Sequence, residues 1–211
     1  KSVKLIKKAA KRNNFAAIIA VLGSIFRPAN SIVKQFNLSN NNEEILFMHE
    51  LFTCYRYIKK RKEKNKKIIL VLHNTGDTFS MLKTYYPKIE KSFFYKYLLR
   101  IEKKVFSEID KLGFVADYPM QNFLNLHPHF DINKIFYVYN GISLEYAPKK
   151  QSDKRFATFE ICCVGTICER KGQRFIVEAL RKLKENLIIP DVHFSMIGAG
   201  DTMSELLELS K

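Results

Sequence analysis

The stretch Cys162–Leu180, CCVGTICERKGQRFIVEAL, holds the residue types that cradle an anion. An apolar run meets Gly165, a short polar turn carries Thr166, Arg170 and Lys171, and Gly172 precedes a helical pattern. Backbone N–H groups at a helix start point outward, and the helix dipole favours negative charge there. Lysine adds a point charge, and arginine can grip two phosphate oxygens at once. The spacing is neither GxxxxGK(S/T) nor GxGxxG, so neither of the common nucleotide loops is present. The same residues also suit an ordinary solvated turn between a strand and a helix.

Three further places put polar groups or glycines at the ends of apolar runs. Phe194–Asp201, FSMIGAGD, leads into Gly198 and Gly200. The run VLHNTGD sets His73 and Asn74 at a strand end, and YNGI sets Asn140 and Gly141 at another. In an open parallel sheet, ligands bind at the carboxyl ends of the strands. Each has a structural alternative: a tight turn for the glycines, a satisfied rim imidazole for His73, a plain turn for Asn140–Gly141.

The elements that position these residues alternate. Ser2–Asn14 reads as a helix, Phe15–Leu22 as a buried strand, and Glu43–Glu50 as a second short apolar run. Leu51–Lys67 reads as a basic helix and Ile68–Asn74 as a strand. Pro87–Asp110 reads as the longest helix, with a core stripe of Phe94, Leu98, Ile101, Val105 and Ile109. Lys111–Asp117 is a strand, a helix starts near Pro119, and Lys134–Ile142 is a strand ending in an Asn–Gly turn. After the polar stretch Tyr146–Phe156 come a strand (Thr158–Gly165), a helix (Gln173–Leu187), a strand (Asp191–Gly198) and a helix (Thr202–Ser210). Strands apolar throughout are covered on both faces, which predicts an α/β fold with parallel sheets. The expected division is a first domain over residues 1–147, a linker over 148–156 and a second domain over 157–211.

Among 211 residues, 46% are hydrophobic, enough for one large or two modest cores. The net charge of +15 is uneven. Residues 1–150 carry 27 Lys/Arg against 12 Asp/Glu, while residues 151–211 carry nine of each. Seven cations crowd Lys59–Lys67, and Phe93–Lys104 sets Phe93 and Tyr97 beside Lys96, Arg100, Lys103 and Lys104. Aromatics beside lysines suit an anionic membrane surface, and a solvated helix face is the plain alternative. A basic nucleic-acid-binding protein fits the charge but lacks any known motif. Cys54, Cys162, Cys163 and Cys168 form no CxxC pair, so buried reduced thiols are expected. The apolar run Phe15–Phe26 is shorter than the ~20 residues that span a bilayer. A cytoplasmic location is expected, peripheral at the inner face of the membrane.

The order IILVLHN, YNGI, polar linker, VGTICERKGQRFIVEAL, FSMIGAG resembles the family-4 retaining glycosyltransferases of the GT-B fold, of bacterial polysaccharide type. The shared pattern is a strand-terminal His, an N-G-I/V turn, a VG-x(5)-KG loop and a later G-x-G loop, covering about Ser2 to Lys211. The resemblance implies two Rossmann-like domains, the first for the acceptor and the second for a nucleoside-diphosphate sugar, with the second incomplete here. It implies diphosphate contacts from Lys171, Gly165 and Gly172, with Arg170 and Thr166 in the same loop. It implies nucleoside contacts from Gly198 and Gly200, a catalytic-centre role for His73, and acceptor-side positions for Asn74, Asn140 and Gly141. Many members carry Arg where Thr166 stands, so one diphosphate contact falls to Arg170 instead.

The implied reaction is transfer of a hexosyl-type sugar, with retention, to a glycan or lipid-linked acceptor in capsule, exopolysaccharide or lipopolysaccharide assembly. No cofactor is expected, and no metal, because no DxD pair occurs. The family's first strand and its later E-x(7)-E segment are not found, so the chain reads as truncated at both ends and inactive as it stands. A non-catalytic nucleotide- or carbohydrate-binding α/β module is the alternative, with a nucleic-acid-binding protein behind it.

Overall fold

The computed structural model describes residues 13–39, 43–62, 64–143, 145, 159–186 and 192–209. The helix expected over residues 2–14 and the linker over 148–156 lie almost wholly or wholly outside the described residues. The chain divides into two units, Lys1–Ile142 and Ser143–Lys211. The fold class is α/β, with every strand pair among the described residues parallel.

The first unit opens with a helix where a strand is expected. Helix α1 runs over Asn14–Leu38, with a π-helical segment at Leu22–Phe26. Its start is set by Asn13, whose Oδ1 accepts from the N–H groups of Phe15 (2.8 Å) and Ala16 (3.4 Å). A short, continuous apolar run does not distinguish strand from buried helix by pattern alone; the asparagine cap decides it. The π segment ends two residues before Pro28, which has no N–H to give to the preceding turn. The buried face is Ala17, Val21, Phe26, Ala29 and Val33. The five-residue step from Val21 to Phe26 keeps both halves on one side.

With 25 residues, α1 is long and apolar enough by length and composition to cross a membrane, so the expectation of a run too short to span fails. Here one face packs into the core, while Phe15, Ile19, Leu22 and Ile32 are exposed.

Four strands follow in the order β1-β2-β3-β4: β1 Ile45–Met48, β2 Lys67–Leu72, β3 Lys111–Phe114 and β4 Ile135–Tyr137. Helix α2, Leu51–Lys60, joins β1 to β2 and ends before the basic run is over. Glu50 caps it, its carboxylate accepting from the N–H of Phe52 (2.9 Å) and of Thr53 (2.6 Å). Between β2 and β3 lie α3 (Ser80–Tyr85), a 3-10 turn (Pro87–Lys91) and α4 (Phe93–Glu108). The expected single helix from Pro87 is broken at Ser92, whose extended backbone and Oγ cap α4 through Tyr95 N–H at 3.3 Å. The predicted stripe Phe94, Leu98, Ile101, Val105 and Ile109 is buried throughout. Helix α5, Asp117–Leu126, leads from β3 towards β4. β4 is shorter than expected, its ladder closing with Val138 N–H to Phe114 O at 2.9 Å.

The second unit has β5 (Phe159–Val164) paired with β6 (Val192–Ile197), α6 (Gln173–Glu185) and α7 (Met203–Leu209). Its small core joins Ile167, Val177 and Leu206 to Phe194, Met196, Met203 and Leu209. Of the four thiols only Cys54 is buried; Cys162 is exposed, and Cys163 and Cys168 are half-buried, so the expectation of four buried thiols is corrected. The small core of this unit leaves both faces of β5 partly open, which accounts for Cys162 and Cys163.

Candidate functional site

In the second unit the residues from Gly165 to Gly172 join β5 to α6. Arg170 and Lys171 lie in a 3-10 turn, Glu169–Lys171, immediately ahead of α6. Both are exposed, and neither forms an ion pair among the described residues. Gly172 occupies the N-cap of α6 with φ +72°, a left-handed conformation that favours glycine. No side chain caps the helix, so no capping side chain competes for its first N–H groups. Those groups and two free cations together can hold an anion.

Gln173 was not anticipated. It is 2% exposed, and its Nε2 donates to the carbonyl of Thr166 at 3.0 Å, tying the loop to α6. Its Oε1 has no hydrogen-bond partner among the described residues. The signal in the sequence was its place after Lys171–Gly172, but a glutamine there reads as an ordinary first-turn residue.

The loop after β6 lies against the loop after β5. Gly165 N–H donates to Ile197 O at 2.9 Å, and Ile167 N–H to Ala199 O at 3.0 Å. A Cβ at position 198 would stand 1.9 Å from the Gly165 oxygen, and one at position 200 would stand 1.7 Å from the Ile167 oxygen. The backbone approach thus accounts for both Gly198 and Gly200 without a ligand.

In the first unit His73 and Asn74 directly follow β2, at the carboxyl end of the sheet. The Asn74 side chain is engaged within its own loop, its Oδ1 accepting from Gly76 N–H at 2.9 Å. Asn122, on α5, donates from Nδ2 to Thr75 O at 2.6 Å, and Lys83 pairs with Asp77. The loop bearing His73 is therefore braced from α3 and α5. The expected Asn–Gly turn after β4 is absent: Asn140 and Gly141 are exposed and irregular, and Gly141 has open space where a Cβ would be. The Val138 bond to β3 is the last of the ladder among the described residues.

His49 is the residue the sequence reading passed over. It follows β1 as His73 follows β2, and its Nδ1 lies 2.9 Å from His73 Nε2. Its neighbour Glu50 is committed to capping α2 and is not free for chemistry.

Part of the basic surface is committed as well. Arg61, whose side chain is 8% exposed, pairs with Glu108 at 2.5 Å, and Lys104 pairs with the same carboxylate at 2.6 Å. Tyr97 stacks on Phe26, with ring centroids 6.5 Å apart. Lys59, Lys60, Lys62, Lys64 and Lys67 in the run, and Phe93, Lys96, Arg100 and Lys103 on α4, are exposed.

No known family matches the chain, and no curated protein matches it. Solved structures do. The catalytic domain of starch synthase IV from Arabidopsis thaliana, bound to ADP and acarbose, aligns with a TM-score of 0.53 over 87% of this chain and 49% of that one, at 13% identity. A TarM mutant from S. aureus, in complex with fondaparinux, alpha-GlcNAc-glycerol and UDP, aligns with a TM-score of 0.42 over 75% of this chain and 33% of that one, at 18% identity. This chain thus spans about half the length of the starch synthase domain. The likeness establishes the fold, two parallel α/β units of the GT-B type.

Proposed function

We propose that the chain is part of a glycosyltransferase that uses a nucleoside-diphosphate sugar. The observation that carries this reading is the turn before α6: Arg170 and Lys171 stand free beside an uncapped helix start. The fold is one in which a solved structure, a starch synthase catalytic domain, is bound to ADP and acarbose.

In this reading the diphosphate lies at the α6 start, contacted by Arg170 and Lys171, with the backbone of Gly165, Thr166 and Gly172 close by. Bond cleavage builds negative charge on the β-phosphate, and cations and helix N–H groups already in place stabilise it there. The loop of Gly198 and Gly200 neighbours the nucleoside. The sugar is hexosyl-type and is transferred with retention, as in the family-4 enzymes. His73 serves the anomeric centre, and Asn74, Asn140 and Gly141 lie on the acceptor side. The reaction is metal-independent and needs no cofactor.

The acceptor is a glycan or lipid-linked molecule of capsule or lipopolysaccharide type. The exposed lysines between Lys59 and Lys67, with Phe93, Lys96, Arg100 and Lys103, attract an anionic membrane surface. In this reading the protein is cytoplasmic and peripheral at the inner face of the membrane. The domain reading stays at 1–147, a linker over 148–156, and 157–211.

Screening the full-length gene product against nucleoside-diphosphate sugars, reading nucleotide release and the anomeric configuration of product by NMR, tests the proposal. Transfer with retention, unaffected by EDTA and reduced by His73→Ala, supports it. Absence of nucleotide release from every donor with a panel of glycan and lipid-linked acceptors refutes it.

A further inference from the structure

β1 and β2 are parallel neighbours, so His49 and His73 leave the sheet at the same end. That end is where open α/β sheets take their ligands. The imidazoles are 5.1 Å apart between centroids, with planes inclined at 38° and His49 Nδ1 at 2.9 Å from His73 Nε2. Two neutral imidazoles at this distance share one proton, one nitrogen donating and the other accepting. In either arrangement His73 Nε2 is occupied by a protein partner. Nδ1 of His73 has no hydrogen bond among the described residues and is the nitrogen that can face a ligand.

His49 is itself placed. The Phe47 ring packs beside it at 5.4 Å, and α2 starts directly after it with Glu50 as cap. An exposed imidazole alone turns about two side-chain bonds and exchanges tautomers freely. One hydrogen-bonded to a placed neighbour no longer turns freely.

We propose that His49 is a positioning residue: its hydrogen bond to Nε2 fixes the ring orientation of His73 and directs Nδ1 toward a hydroxyl of the transferred sugar or the acceptor. This rests on the glycosyl-transfer reading of the same strand ends. His49 touches neither substrate. The sequence pattern used for the acceptor side contained only His73, so His49 adds a second histidine to that side.

The test combines a spectroscopic and a kinetic readout on the full-length protein. The first is the long-range 1H–15N spectrum of 15N-histidine-labelled protein at about pH 8.5, where an ordinary imidazole is neutral. In the wild type, His73 Nε2 shows the shift of a hydrogen-bonded nitrogen. His49→Ala returns it to the shift of a free imidazole. His49→Asn, which puts a hydrogen-bonding group near the place of Nδ1, restores the bonded shift. Unchanged signals from His127, His129 and His193 show that the variants are folded.

In turnover of a nucleoside-diphosphate sugar, His49→Ala lowers kcat by about 10-fold or more, as misplacing a catalytic group does. The donor KM stays within about 2-fold, and His49→Asn recovers rate. Identical His73 spectra in wild type and His49→Ala overturn the positioning role, whatever the rates. A changed His73 Nε2 shift in a protein that turns over no nucleotide sugar overturns the proposal through the reading on which it rests, while leaving the imidazole pair in place.

Discussion

Gly198 stands against Gly165 so closely that a Cβ at 198 would lie 1.9 Å from the Gly165 carbonyl oxygen. Two strand-end loops are thereby zipped together, with Gly165 and Ile167 donating to Ile197 and Ala199. Gly198→Ala is expected to force the loops apart and to cost about 1–3 kcal/mol. Amide exchange at Gly165 and Ile167 would then accelerate, read by hydrogen-exchange mass spectrometry. Gly141→Ala, with open space and no positive φ, is the comparison and should lie within about 0.5 kcal/mol of wild type.

Burial, with the Glu50 charge adding and Arg61 partly offsetting, pushes the Cys54 thiol up to about 12. The thiolate is the nucleophile. Cys54 should therefore resist iodoacetamide in the folded protein while exposed Cys162 is alkylated first, as read by peptide mass spectrometry. Because the folded thiol titrates above its ordinary 9.0, its contribution to stability is complete below that pH and is lost as pH rises towards 12. Alkylation of Cys54 at the rate of Cys162 would show that this core is open.

Glu108 ties α4 to the end of α2 by accepting from both Lys104 and Arg61. The Lys104 hydrogen bond, helped by the Arg61 charge, holds its carboxyl below the ordinary 4.5. The stabilisation is present above that range and fades as pH falls through the lowered value. Glu108→Gln should destabilise by about 1–3 kcal/mol at neutral pH, since it leaves Arg61 buried without its counter-charge. In urea unfolding the gap from wild type should close as pH falls below the ordinary carboxylate range. A gap that persists in acid would assign the loss to packing.

Much of the fold is legible in the sequence because its parallel strands are short apolar runs, whether buried like β2 or partly open like β5. Ile68–Leu72, Phe159–Val164 and Val192–Ile197 all fall within expected strands. The α4 stripe is equally plain because its buried residues recur at helical spacing. Phe15–Leu22 misleads for the converse reason: a run apolar all round has no period, and only the Asn13 cap marks it as helix. Ser92 hides a break inside an otherwise continuous helical pattern.

At the candidate site the loop cations were visible as residue types. The partners of the site were not. Gln173 and His49 matter through bonds to Thr166 and His73, seven and 24 residues away in sequence. The reason for Gly198 and Gly200, an approach of one loop to another, likewise appears only when the strands are paired.

The diphosphate of a nucleotide is proposed to lie at the start of α6. Calorimetric titration of the full-length protein with UDP and ADP is the test, comparing wild type with Lys171→Ala, Arg170→Ala and, as a control on the first unit, Lys103→Ala. A charge-assisted phosphate contact is worth about 1.5–3 kcal/mol, so each loop variant should bind at least about 10-fold more weakly while Lys103→Ala binds as wild type. Unchanged affinity in both loop variants, or equal weakening by Lys103→Ala, would contradict the account.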